Sequence, residues 1–288
     1  MKNMNKNITR KTRIYLFLET LVPPIFLERL LDFLITLKFL IFYPFQIKND
    51  LPLESFKKSS DKAFLFATGP SLKEFDFSIV KNSDCFSVSN FFINDEANNI
   101  NLRGHFFAPW HPPLVKEEYL AWIMSAHEKL STETIFFFGE ESKADISRTQ
   151  LSETREVNFI KLEKGLVFGS LRRNFPILKP YSGPLMILPI LIILGYREIY
   201  LCGCDHTVLR DFNSTVSNFY DDTEDIRSNA TKDKRWENGI EYHLHNMINI
   251  IKQYKKYGVL ARKRKINIYN LSNDSWIESF PLPKRSEP

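Results

Sequence analysis

Beyond about residue 51 the chain alternates short apolar runs with longer stretches of helical periodicity. The runs Ala63–Ala67, Cys85–Val88, His105–Ala108, Thr134–Phe138, Val157–Lys161, Glu198–Cys202 and Ile266–Tyr269 have the length and near-continuous hydrophobicity of strands covered on both faces. Helices are expected over Lys116–Lys129, Gly183–Leu194 and roughly Glu237–Tyr257. The first follows the pair Pro112-Pro113, and the second runs into Gly195, as helix starts and stops commonly do. Strands alternating with helices predict an α/β fold, a mostly parallel sheet with helices on both faces. The polar stretch 209–236, rich in Asp, Asn, Ser and Thr, reads as a lid over a site or as a passive insertion.

Residues 1–50 have a different texture. Lys2, Lys6, Arg10, Lys11 and Arg13 precede an apolar stretch that Glu28, Arg29, Asp32 and Lys38 interrupt, so neither a spanning helix nor a clean signal peptide fits. On a helical wheel Phe26, Leu30, Phe33, Leu34, Leu37 and Ile41 share one face, and Glu28, Arg29, Asp32 and Thr36 the other. One or two amphipathic helices are expected over residues 14–46. The basic flank favours a membrane surface as the partner of that face; the chain's own catalytic domain or a second subunit are the alternatives. The expected division is a basic, amphipathic membrane-surface segment at 1–50 and a catalytic domain at 51–288, with the lid at about 209–236.

Composition narrows the class. With 43% hydrophobic and 25% charged residues in 288, neither a disordered tail protein nor a polytopic membrane protein is expected. Lys+Arg 39 against Asp+Glu 34 leaves a net charge of +5, too diffuse to indicate nucleic acid. Cys85, Cys202 and Cys204 are an odd number, two of them at the end of one apolar strand, which speaks against a disulfide framework or a zinc site and for a reducing cytoplasm.

Polar residues collect where strands end. The first run leads into Thr68-Gly69-Pro70-Ser71-Leu72, where glycine permits close backbone approach and Ser71 is placed to cap a helix starting near Leu72. Ser89-Asn90, Pro109-Trp110-His111, Gly203-Cys204-Asp205-His206 and Asn270-Leu271-Ser272 follow four further strands. Ligands of open parallel sheets bind outside the strand carboxyl ends, so these five segments predict one nucleotide-sized pocket. Tyr181-Ser182-Gly183 opens the second helix and offers an anion site at its N-terminus, beside plain capping.

These residues carry a resemblance. The Gly69-Pro70-Ser71-Leu72-Lys73 turn, Asn90, the Ser182-Gly183 helix start and the run from Leu194 through Gly195-Tyr196 to Gly203-Cys204-Asp205 resemble the bacterial sialyltransferases of glycosyltransferase family 42. They are also similar to motility-associated flagellin glycosyltransferases and to pterin-pyrophosphokinase-like domain proteins, over roughly Lys62 to Trp276. The resemblance implies a modified Rossmann-like fold and an inverting transfer of a sialic-acid-like, nonulosonic sugar from a CMP-activated donor to a bacterial surface glycan, lipopolysaccharide or capsule. It places Gly69, Pro70, Ser71, Asn90, Ser182, Gly183 and Asp205 in the donor site, needs no cofactor beyond the CMP-sugar, and implies work at the cytoplasmic face of the inner membrane on a glycan or glycolipid acceptor. The chain departs from the sialyltransferases at Thr68 and Ala108, where they carry asparagine, and at His206-Thr207, where they carry aromatic residues.

Displacing CMP calls for a base and for donors to the departing phosphate. His105, His111 and His127 read as structural; His206, His243 and His245 remain, with the base role divided between His206 and His243 and Asp205 beside them. Tyr181 and Tyr220 are candidate phosphate donors. The acidic run Asp221-Asp222-Thr223-Glu224-Asp225 reads as a solvated loop, or as the metal site of a nucleotide-diphosphate-sugar transferase. A metal-free transfer is the expectation. The remaining rivals are a pyrophosphokinase-like enzyme on the same fold and a non-catalytic protein of envelope assembly.

Overall fold

The computed structural model describes residues 56–110, 114–163, 177–227 and 236–282, with the helical positions Phe26, Leu30, Phe33, Leu34, Leu37 and Ile41. Apart from those six positions the expected N-terminal helices lie outside the described residues, as does His111. The strands are β1 (Lys62–Phe66), β2 (Asp84–Val88), β3 (Leu102–Phe106), β4 (Ile135–Gly139), β5 (Val157–Ile160), β6 (Leu162–Glu163), β7 (Ile177–Leu178), β8 (Glu198–Cys202) and β9 (Asn267–Asn270). The helices are α1 (Lys116–Lys129), α2 (Lys143–Ile146), α3 (Leu151–Thr154), α4 (Pro184–Leu194) and α5 (Gly239–Lys263).

Seven strands form one sheet in the order β5-β4-β3-β2-β1-β8-β9, with every neighbouring pair parallel. β6 and β7 make a small separate parallel pair. The expected α/β, Rossmann-like architecture is therefore the observed one. β1 leads outward to β5 on one side, and β8 and β9 are added on the other, so the order reverses at β1. A crevice opens at such a reversal because the connections leave in opposite directions.

The strand alternation sorts the core into two layers. Ala63 and Leu65 of β1 join α4 and α5 on one face, while Phe64 and Phe66 join Tyr119, Trp122, Ile123 and Ala126 of α1 on the other. All eleven residues of α4 are buried, which explains why its sequence is apolar all round rather than striped. α5 buries Met247, Ile250, Tyr254, Tyr257 and Ala261 and exposes its other side. Gly195 ends α4 in the left-handed region at φ 76°, where its amide meets the Leu191 and Ile192 carbonyls.

Two expectations need correction. β3 starts at Leu102, three residues ahead of the expected run, because Leu102 and Gly104 pair with β2 across a bulge at Arg103 and Gly104 also pairs with β4; Phe107 still donates to the Phe137 carbonyl beyond the strand. The element after β1 is a five-residue 3₁₀ turn, Pro70–Glu74, and its cap is Gly69 rather than Ser71.

Arg155 secures the far end of the sheet. Its guanidinium donates to the carbonyls of His127, Leu130, Ser131 and Thr134 and lies 3.9 Å from the centre of the Phe136 ring. It thereby caps the C-terminus of α1, a place where cations suit the helix dipole. Arg155→Met keeps the apolar stem and strands those carbonyls. Its expected cost is about 2–4 kcal/mol, read as a lower urea midpoint at unchanged m-value; an unchanged midpoint would contradict this account.

Candidate functional site

Where the strand order reverses, the ends of β1, β2 and β8 and the start of α4 enclose a cleft of about 240 Å³. Its wall includes Gly69 and Pro70 after β1, Ser89 after β2, Ser182 and Gly183 before α4, and Asp205, His206 and Thr207 after β8. The side facing these is closed by Val216, Ser217 and Asn218 of the expected lid, which the Phe219 amide ties to the Thr68 carbonyl oxygen at 3.2 Å.

The rim is held by one clasp. Asp205 Oδ2 accepts the Ser71 amide at 2.8 Å, Asp205 Oδ1 accepts the Ser71 hydroxyl at 2.5 Å, and the Gly69 amide donates to the Gly203 carbonyl at 2.9 Å. Glycine is required there: a Cβ at residue 69 would stand 2.3 Å from Asp205 Oδ2 and 2.6 Å from the Gly203 carbonyl oxygen. Gly183 is tight for a similar reason, since its Cβ would come within 2.6 Å of Val88 Cγ2, so β2 and the start of α4 touch directly. The Ser272 hydroxyl accepts the Cys204 amide at 3.0 Å and supports β8 from behind.

The backbone is strained around the cleft. Ser89 (φ 60°) and His206 (φ 54°) occupy the left-handed region that side chains disfavour, and Gly203 (φ 65°) lies between the clasp and His206. Such conformations persist where surrounding contacts over-determine them, commonly at binding sites. His206 Nε2 meets the Tyr254 hydroxyl at 2.9 Å, and burial lowers the imidazole pKa to about 4, leaving the ring neutral at physiological pH. The Ser182 hydroxyl is buried with no hydrogen-bond partner. The amides of Leu185 and Met186 bond back to the Ser182 and Gly183 carbonyls, so α4 offers the cleft its dipole and the Ser182 hydroxyl rather than bare first-turn amides. Among the described residues the lining contains no lysine or arginine, and Asp205 is its single charged side chain.

Gly69, Pro70, Ser182, Gly183, Asp205 and His206 thus come together, and the other candidates lie elsewhere. Ser71 stands behind the wall, bonded to Asp205. Asn90 is fully buried and accepts the Trp122 indole N–H at 2.5 Å. Tyr181 is half exposed, its amide donating to Gln253 Oε1. Tyr220, within the 209–236 stretch itself, is buried, and its hydroxyl receives an Arg227 N–H at 3.5 Å. His243 stacks edge-on with Trp236, ring centres 4.8 Å apart, in a cluster with Phe212. Of the five segments expected to converge, Pro109 and Trp110 do not line the cleft, and 270–272 only buttresses it through Ser272.

In the acidic run, burial opposes ionisation of Asp225, but the hydrogen bonds and charge of Arg227 outweigh it and hold the carboxyl below its ordinary range. Among the described residues no three His, Cys, Asp or Glu side chains group as a metal site would need. Cys85, Cys202 and Cys204 are buried thiols. Tyr254 escaped the sequence reading; its one signal there is a polar ring on the apolar stripe of a long helix.

No protein-family model and no curated protein matches the chain. Solved structures with a similar course include an α-2,3-sialyltransferase from Campylobacter jejuni in apo form, 20% identical, covering 82% of this chain and 84% of the other at a TM-score of 0.42. A variant of the sialyltransferase Cst-II in complex with CMP is 17% identical over 78% and 86% of the two chains, at a TM-score of 0.42. CstII from Campylobacter jejuni with cytidine-5'-monophosphate is 18% identical over 78% and 84%, at 0.36.

Gly69→Ala forces the first turn away from Asp205 and the end of β8. The expected outcome is a loss of about 1–3 kcal/mol of stability together with loss of ligand binding in the cleft. A variant with wild-type melting and wild-type binding would show that the clasp does not hold the rim.

Proposed function

We propose that the protein is an inverting glycosyltransferase that moves a sialic-acid-like sugar from a CMP-activated donor to a bacterial surface glycan or glycolipid. The observation that carries this reading is the donor set of the cleft. The buried, unpartnered Ser182 hydroxyl, the N-terminal end of α4 and a neutral His206 meet at the strand reversal, with no lysine or arginine in the lining among the described residues.

Such a set suits one negative charge. The phosphate of a CMP-sugar is a diester with a single charge, and a helix N-terminus supplies roughly half a positive charge in compensation. A diphosphate brings more charge and ordinarily a divalent metal, and here it would lie against the Asp205 carboxylate. The choice of cytidine and of a nonulosonic sugar comes from the resemblance of the Gly69-Pro70-Ser71 turn, the Ser182-Gly183 start and the run through Asp205.

On this reading Ser182, Gly183 and His206 face the donor phosphate, Gly69 and Pro70 face the nucleotide, and Asp205 positions the first turn. Transfer needs no metal. We further place the enzyme at the cytoplasmic face of the inner membrane, held by the helix that carries Phe26, Leu30, Phe33, Leu34, Leu37 and Ile41. All six are exposed, and Lys2, Lys6, Arg10, Lys11 and Arg13 precede them. No helix among the described residues is long and apolar enough to cross a membrane.

Calorimetry with CMP, UDP, GDP and ATP tests the site. CMP alone is expected to bind, and Ser182→Ala to weaken it by about 0.5–1.5 kcal/mol, two- to tenfold in Kd. Transfer from the CMP-sugar is expected to proceed in EDTA. Preference for a nucleoside diphosphate, or abolition of activity by EDTA, would refute the assignment.

Vesicle flotation tests the attachment. Leu30→Asp with Leu37→Asp is expected to lower binding to anionic vesicles about tenfold or more. Equal flotation of variant and wild type would assign that face to protein packing.

A further inference from the structure

Tyr254 projects from the buried side of α5, is fully buried, and holds His206 Nε2 at 2.9 Å across 48 residues of sequence. The Cys204 thiol and the Ser182 hydroxyl also act on its hydroxyl. Cys204 Sγ directs its own hydrogen at the Cys202 carbonyl oxygen, 3.8 Å away, and a thiol sulfur accepts only weakly. Burial pushes the phenol pKa far up, so Tyr254 keeps its proton and must donate it somewhere. The Ser182 hydroxyl lies near but outside hydrogen-bond geometry, so the best acceptor within reach is the imidazole nitrogen at 2.9 Å.

We propose that Tyr254 donates to His206 Nε2, fixing the neutral imidazole with its proton on Nδ1, and that this Nδ1–H donates to an anionic group, a phosphate, bound in the cleft. The two ring nitrogens point in diverging directions. With Nε2 turned inward to Tyr254, Nδ1 is left for the cleft that His206 lines. The left-handed backbone at His206, φ 54°, accompanies this contact with Tyr254 of α5.

The consequence is a change of role. A general base needs a free lone pair facing the substrate, and on this geometry the lone pair of His206 is occupied by Tyr254. His206 is instead a neutral donor aimed at developing negative charge, working beside the Ser182 hydroxyl, and its low pKa keeps it from becoming a cation. Tyr254 is a positioning residue that acts through His206. The phosphate part of this proposal rests on the proposed function; the tautomer does not.

The test is a long-range ¹H–¹⁵N spectrum of the full-length labelled protein at neutral pH, with the His206 ring signals identified by their loss in His206→Gln. The wild type is expected to show protonated Nδ1 and unprotonated Nε2. Tyr254→Phe, which keeps the ring in the core, is expected to yield a mixture of tautomers and a three- to tenfold weaker Kd for CMP, about the worth of one hydrogen bond. Adding CMP or inorganic phosphate is expected to move the His206 Nδ1–H signal.

Protonated Nε2 in the wild type overturns the proposal before any variant is made. An unchanged tautomer in Tyr254→Phe does so too, as does bound CMP or phosphate that leaves the Nδ1–H signal in place. If the tautomer is as expected and phosphate moves the signal while CMP does not bind, the proposal stands and the CMP reading falls. Failure of both anions to bind removes the donor role.

Discussion

One carboxylate organises the site. Asp205 accepts both the amide and the hydroxyl of Ser71, and the Gly69–Gly203 hydrogen bond lies beside it, so the exits of β1 and β8 are tied together at the point where the strand order reverses. Without the clasp those connections would diverge, since each leaves toward its own layer. With it, the first turn becomes a fixed wall. Asp205 and Ser71 are engaged with each other, while Gly69, Pro70, Ser182 and His206 line the cleft beside them.

Other parts of the cleft lining depend on α5. Neighbouring residues of that helix serve two parts of the cleft, Gln253 receiving the Tyr181 amide before α4 and Tyr254 holding His206 after β8. Because α5 and the wholly apolar α4 share one core, the two polar residues keep their positions by packing. The polar stretch after β8 is fastened differently. Its Phe219 amide bonds to Thr68, and Arg227 pairs with Asp225 while lying 5.2 Å from the Trp122 ring centre, so α1 anchors that stretch. Trp236 and Phe212 gather around His243, which makes that histidine part of the packing of the stretch.

Much of the fold was legible because burial on both faces leaves a plain mark on a strand, as in β1, β2, β4 and β8, while the edge strands β5 and β9 alternate between buried and partly exposed positions. β6 and β7 leave no such mark, since two-residue strands have no period to detect. The site was half legible. Glycines before and after short polar runs marked the clasp, and Asp205-His206 stood at the end of a strongly apolar strand. Asn90, expected from the strand-end rule, lies outside the lining because that rule identifies the edge of the sheet and not the direction of each side chain; Tyr181, Tyr220 and His243, expected from the helix start, the polar stretch and the long helix, lie outside it as well. Positive φ at Ser89 and His206 leaves no sequence trace, and neither does a hydrogen bond between residues as distant as His206 and Tyr254.

The charge of the cleft limits its chemistry further than any one residue does. The chain has a net charge of +5, yet among the described residues the cations are kept out of the lining. Arg227 is occupied by Asp225, and Arg155 by carbonyls at the far end of the sheet. A cationic cleft would bind a phosphate tightly before and after reaction, and release would then be slow. Neutral donors discriminate differently: their hydrogen bonds strengthen as charge develops on the leaving oxygen, and they add no net attraction that would retain the product. On the proposed reading, a neutral His206 held by Tyr254, beside a serine hydroxyl at a helix start, stabilises the charge that develops on the departing phosphate more than it stabilises the singly charged ground state.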